Sequence, residues 1–199
     1  TWIKVLMPLA WGLLAIGLVW GLAFAPTDYQ QKDAFRMIYV HVPSAWLSMF
    51  VYVSMAFAGG VAMIWRLKIA EVYLREASIL GMWFTILALI TGMIWGKPMW
   101  GAWWVWDARL TSELILLFLY WGVLALGNAY PDDPRQAGRA MAILALVGVV
   151  NIPIIHYSVE WWNSLHQANS RMLMGKPSLN AQMLWPLLLA WLGFMAFFG

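Results

Sequence analysis

Apolar residues occupy this chain in long unbroken blocks rather than at a helical or strand period. Six blocks, near residues 5–25, 44–65, 78–95, 112–130, 137–158 and 181–199, each approach the roughly 20 residues needed to cross about 30 Å of hydrocarbon. Polar side chains within them are sparse, with little beyond Thr85, Thr91 and Asn151. An α-helix satisfies its own backbone polar groups in lipid, so the pattern predicts an all-α integral membrane protein with six transmembrane helices. The connections are short and free of repeats or low-complexity linkers, and residues 1–199 are expected to form a single transmembrane domain.

The first block ends in Ala23-Phe24-Ala25, which imitates a signal-peptidase site, but its length and the following Pro26 predict a retained helix. Thr1 at one end, and Gly199 without flanking charge at the other, predict short tails beyond both. Composition agrees with a bilayer setting: 63% of the 199 residues are hydrophobic and 11% charged. The absence of Cys excludes disulfides, thiolate metal sites and covalent haem attachment through C-x-x-C-H. A net charge of +3 spread over membrane connections gives no footprint for nucleic acid.

Six crossings place the connections between helices 1 and 2, 3 and 4, and 5 and 6 on the same side. That face gathers all three histidines: His41 beside the start of helix 2, His156 at the end of helix 5, and His166 in the last connection. The cations are evenly divided. Lys4, Arg66, Lys68, Arg75, Arg135 and Arg139 lie on the side of the termini, and Lys32, Arg36, Lys97, Arg109, Arg171 and Lys176 on the other. The first set is concentrated in short loops, where the positive-inside bias acts, so the termini are expected in the cytoplasm. The outer cations then suit the holding of an anion.

Between helices 3 and 4 runs W-G-K-P-M-W-G-A-W-W-V-W-D-A-R-L, residues 95–110. Gly96, Pro98 and Gly101 are expected to break helix 3, leaving a segment 96–110 at the interface. One turn of helix there would put Trp100, Trp103 and Trp104 on one face, with Trp106 three residues beyond Trp103. Asp107 is placed to cap helix 4, with Arg109 and Glu113 one turn apart. An aromatic belt needs neither a Gly and Pro framework nor a charged pair. A flat, largely apolar ligand with an anionic edge uses both: indole faces for its plane, Lys97 and Arg109 for carboxylates.

The histidines extend that chemistry. Pro43 suits the first turn of helix 2 and sets His41 at the bilayer edge, while Pro153 bends helix 5 and re-aims His156. Neutral imidazoles are suitable axial ligands for haem iron. His166, on a looser loop, is a third candidate. Arg36, five residues before His41, is placed to reach a propionate opposite Arg109, and Glu160, Trp161 and Trp162 extend the cluster past helix 5.

The tryptophan stretch continuing into T-S-E-L, the H-V-P at 41–43 and the N-I-P-I-I-H-Y-S-V-E-W-W-N-S-L-H-Q at 151–167 together resemble the cytochrome c maturation protein C (CcmC) family, whose tryptophan-rich "WWD" signature handles haem. The likeness spans essentially the whole chain. It implies a six-helix inner-membrane protein that holds haem b on the periplasmic side and presents it to a haem chaperone, cytochrome c maturation protein E (CcmE). It also implies association with an ABC-type ATPase and its membrane subunit (CcmA, CcmB) and a small single-helix protein (CcmD). By match of motif, the axial ligands fall on His41 and His156, and the WWD residues on Trp100, Trp103, Trp104, Trp106 and Asp107.

Two other functions are compatible with a haem-binding membrane helix bundle. A b-type cytochrome acting on quinone usually buries paired histidines within the membrane, whereas these cluster at one face. A haem transporter needs a polar route or broken helices at the midplane, which the sparse polar residues of the apolar blocks do not offer. The chain carries no Walker motif and is not expected to hydrolyse ATP or act as an enzyme by itself.

Overall fold

A computed structural model describes residues 2–162, 164–166 and 179–199. It is all-α. Helix α1 (Ile3–Val19) runs into a π-helical turn (Trp20–Phe24), and a 3-10 turn (Asp33–Met37) leads directly into α2 (Ile38–Trp65). Then follow α3 (Lys68–Trp100), α4 (Ala108–Ala129), α5 (Pro134–Gly148), α6 (Asn151–Trp161) and α7 (Ala181–Phe198). Among the described residues six segments are long and apolar enough to cross a membrane, with α5 and α6 together making the fifth, as expected of a six-span protein.

Three boundaries differ from expectation, each for a local reason. Helix α2 starts at Ile38, because the 3-10 turn feeds it, so His41 and Pro43 lie inside the helix rather than at its first turn. Helix α3 continues through Gly96 and Pro98 and stops only at Gly101, whose φ of 77° suits glycine. The Gly101 amide donates to the Lys97 carbonyl at 3.0 Å, closing the helix end. Residues 101–107 are therefore not helical, and Trp100, Trp103 and Trp104 do not share a helical face. The bend in the fifth span falls at Val149 and Val150, one turn before Pro153. The proline thereby sits in the first turn of α6, where its missing N–H is least costly.

By backbone contacts the chain forms two compact units. The first comprises Thr1–Trp46, Ile90–Val105 and Gln167–Gly199; the second comprises Leu47–Leu89 and Trp106–His166. In the first, α1 packs along α7, with Gly17 against Ala190. Its core is Ala25, Phe35, Ile38, Tyr39, Met183 and Leu187, with Trp95 packed against it. Arg171 and Lys176, assigned above to the outer face, lie outside the described residues, as does most of the connection they belong to.

The second unit packs α4 against α5 and α6. Its interior is more polar than the sparse inventory read from the apolar blocks. Glu113, 7% exposed, accepts the Ser48 hydroxyl at 2.7 Å, and Tyr120 donates to the Ser48 carbonyl at 2.6 Å. Tyr52 donates to the Leu144 carbonyl at 3.2 Å and Asn151 to the Ser112 carbonyl at 2.9 Å. These groups come from separate stretches of sequence, and each finds its partner only on folding. Polar groups in such surroundings are costly unless hydrogen-bonded, so the bonds tie α2, α4 and the fifth span together.

Candidate functional site

In the first unit, His41 lies on α2, half-buried against the C-terminal part of α3. Its Nδ1 is 3.1 Å from the Thr91 hydroxyl, and its ring meets the Trp95 indole edge-on, with centroids 5.7 Å apart. Trp95 is held in turn: its indole N–H donates to the buried Gln31 at 2.8 Å, and Phe35 packs edge-on against it. Gln31 is placed by a turn in which the Asp28 carboxylate accepts the Gln30 and Gln31 amides at 2.9 and 2.7 Å. A Cβ at Gly92 would come within 3.1 Å of His41 Cε1, so the absence of a side chain there admits the ring. Thr91 stood out in the sequence only as a polar residue of an apolar block and Trp95 only as the start of the tryptophan stretch, and neither they nor Gly92 was read as a neighbour of His41. Their spacing of one, three and four residues, on a helix ending in a tryptophan cluster, was the available signal.

The tryptophans that follow differ in setting. Trp100 occupies the last turn of α3, where it folds back over Gly96. Trp103 is 54% exposed, with the Lys97 ammonium 5.9 Å from its ring centroid. Trp104 is half-buried. Lys97 also donates to the Gly101 carbonyl at 3.0 Å, so this cation belongs to the end of α3. Arg36 is likewise engaged: it pairs with Asp33 at 3.1 Å and donates to the Leu22 carbonyl within the π-helical turn.

In the second unit, Trp106 is 78% exposed and Asp107 is buried beside it. Asp107 caps α4 as expected, its Oδ1 accepting the Arg109 and Leu110 amides at 2.8 and 3.3 Å. Its other oxygen, Oδ2, accepts the Ser164 hydroxyl and, at 3.2 Å, the Leu165 amide. His166 Nδ1 lies 3.3 Å from Asp107 Oδ1 and 3.3 Å from the Ser164 hydroxyl, which also accepts the His166 amide at 3.1 Å. Arg109 reaches α6, donating to the Ser158 hydroxyl at 3.1 Å and the His156 carbonyl at 3.3 Å. Asp107, Arg109, Ser158, Ser164 and His166 thus form one polar cluster joining α4, α6 and the connection that follows α6.

The electrostatics of that cluster are one-sided. Burial pushes the Asp107 carboxyl up, but the Ser164 hydroxyl, the His166 ring and the two capping amides outweigh it and hold it below its ordinary value. Burial pushes the His166 imidazole down; Asp107 opposes that, Arg109 adds to it, and the ring ends below its ordinary 6.5. At neutral pH His166 is therefore a neutral imidazole, and its contact with Asp107 is a hydrogen bond rather than an ion pair. His156 is different: its ring is exposed and meets Tyr157 edge-on at 4.7 Å, and Tyr157 stacks on Trp161 at 5.3 Å. Trp161 and Trp162 meet edge-on, and both are exposed together with Glu160.

Each of two imidazoles, taken by itself, has a setting that suits an iron ligand. His41 and His166 both have Nδ1 beside an oxygen, and an imidazole oriented through one nitrogen presents the other to a metal. Among the described residues no cluster of three or more His, Asp or Glu is placed to hold a bare ion.

Fold and site together define a six-span, all-α membrane protein with a tryptophan-rich segment and oriented imidazoles. The chain belongs to the CcmC, or Heme exporter protein C, family, whose model matches residues 1–199. It is 55% identical to Heme exporter protein C of Escherichia coli K12 over 174 residues, which are 87% of this chain and 71% of that protein. It is also 55% identical to Heme exporter protein C of Haemophilus influenzae over 94% of this chain and 75% of that one. A putative cytochrome c biosynthesis ccmC-like mitochondrial protein of Marchantia polymorpha is 39% identical over 98% of this chain and 82% of its own length.

Proposed function

We propose that this protein binds haem b at the periplasmic face of the inner membrane, its termini cytoplasmic, and delivers the haem to the chaperone CcmE during cytochrome c maturation. Membership of the family supports a role in haem handling for cytochrome c maturation. The finer reading is carried by one observation: two half-buried imidazoles, His41 and His166, each with Nδ1 beside a neighbouring oxygen. His41 is the first axial ligand. For the second, His156 was expected from the sequence, and His166 is preferred. Asp107 orients its ring, and a carboxylate behind a ligating histidine both sets the tautomer and raises ligand basicity. The ring of His156 is exposed against Tyr157.

Trp100, Trp103, Trp104 and Trp106 supply the apolar surface for the porphyrin plane. Arg36 and Arg109 take the propionates. Each guanidinium is already anchored by protein oxygens, and its five-donor fork is large enough to accept a carboxylate as well. The protein acts as a binding and delivery subunit rather than a catalyst, in a complex with CcmA, CcmB and CcmD.

Three single variants, His41→Ala, His156→Ala and His166→Ala, test the assignment by the haem content and Soret absorbance of the purified protein. His41→Ala and His166→Ala are expected to lose the bis-imidazole spectrum and transfer no haem to CcmE, with His156→Ala retaining both. Loss in His156→Ala with His166→Ala unchanged would return the second ligand to His156. Unchanged haem in all three would end the reading.

A further inference from the structure

Asp107 is the last residue before α4, and its carboxylate makes more contacts than a helix cap requires. A cap needs one oxygen accepting one or two amides, and Oδ1 does this for Arg109 and Leu110. Oδ2 faces instead a stretch more than fifty residues away in sequence, accepting the Ser164 hydroxyl and the Leu165 amide. His166 closes the arrangement, with Nδ1 3.3 Å from Oδ1 and its own amide on the Ser164 hydroxyl. The carboxylate belongs to a residue only 8% exposed, and it thus anchors three consecutive residues of the connection after α6 to the first turn of α4.

We propose that Asp107 is a positioning residue for His166: with Ser164 it holds the ring so that Nδ1 carries the proton and Nε2 the lone pair, and it locks that ring to the N-terminus of α4. A carboxylate accepts only, so the nitrogen facing it is the donor, and the tautomer follows. The consequence for haem rests on the ligand reading above; the consequence for the ring does not. The start of α4 and residues 164–166 are then mechanically one unit at this point. Whatever moves residues 164–166 moves the nitrogen lone pair relative to α4.

The ring tautomer is measured directly in haem-free protein carrying ring-15N histidine. With three histidines in the chain, His166→Asn identifies the His166 signals. The wild type is expected to show His166 in the Nδ1–H form. Asp107→Ser keeps an N-cap oxygen but cannot span to residues 164–166, and His166 is expected to shift toward the Nε2–H form that imidazole ordinarily prefers. Asp107→Asn keeps the cap at full strength and covers the case in which Asp107→Ser fails to fold. Its neutral amide is expected to move the His166 Nδ1–H resonance toward that of a solvated ring.

An Nε2–H form in the wild type, or His166 signals unchanged in both variants, would overturn the proposal. Haem affinity separates the two claims: Asp107→Ser is expected to weaken it by about 10–100-fold, as removal of an orienting carboxylate does at other metal-bound histidines. A changed tautomer with unchanged haem affinity would leave the positioning role standing and remove His166 from the ligand set.

Discussion

His41 and His166 are both imidazoles oriented through Nδ1, yet their units hold them in contrasting ways. His41 sits on a long membrane-spanning helix, and its neighbours are a hydroxyl, an indole edge and a glycine without a side chain to obstruct it. Packing does most of the orienting. His166 sits in a connection, and what fixes it is a carboxylate, a hydroxyl and two backbone amides. A helix spreads the cost of ordering over many residues, whereas a loop needs strong local bonds to offset the entropy of its own backbone. Of these two rings, it is the one outside regular secondary structure that charge holds.

The contrast can be broken most severely at Asp107. Asp107→Ala removes the α4 cap, worth about 0.5–2 kcal/mol, together with hydrogen bonds to a charged group, worth about 1.5–3 kcal/mol. A loss of about 2–4 kcal/mol is expected in denaturant unfolding of the detergent-solubilised protein. Asp107→Asn should recover the cap share, and a variant as unstable as Asp107→Ala would show that the cap is not what Asn restores.

Thr91→Val makes the corresponding change at His41, removing a neutral hydroxyl at nearly constant volume. About 0.5–1.5 kcal/mol is expected, less than at Asp107 because neither partner is ionised. An effect exceeding that of Asp107→Ala, measured in the same way, would reverse the comparison. Gly92→Ala is milder still. The new methyl, 3.1 Å from His41 Cε1, must displace the ring by a few tenths of an ångström. The expected signature is a shifted haem spectrum with haem content retained, and an unchanged spectrum would mean that α3 yields instead of the ring.

The smallest effect is the response to acid, and it belongs to the second unit. Folding holds the His166 pKa below 6.5, so protons bind more tightly to the unfolded chain. Its contribution to stability is complete above pH 6.5 and falls as pH drops through the folded value. Asp107, held below its ordinary 3.8, adds a loss of the same sign at lower pH. His166→Asn should flatten the first part of that decline, and an undiminished slope between pH 6.5 and 5 would place its origin elsewhere.

Much of the architecture was legible in the order of residues. Long apolar blocks identify spanning helices because lipid admits little else, and Asp107 before Ala-Arg-Leu reads as a cap because the requirement is local. Boundaries read less well. Pro98 and Gly96 look like breakers, but α3 runs through both, giving up the one bond the proline cannot make to the preceding turn, and the chain turns only where Gly101 adopts positive φ. The polar interior of the second unit was missed for a different reason. Ser48 and Tyr52 of α2 lie more than sixty residues from Glu113 and Tyr120 of α4, and they mean little until folding pairs the helices.

The chain alone thus determined its class, its six spans, its family and the residue types at its site, since each depends on composition or on neighbours a few residues apart. Only the tertiary structure decided that Trp95 and Thr91 frame His41, and that Asp107 reaches past its own helix to His166. Those contacts join residues about fifty positions apart or more. No local propensity encodes them, and they form because burying a hydroxyl, an indole N–H or a carboxylate is costly until each finds its partner.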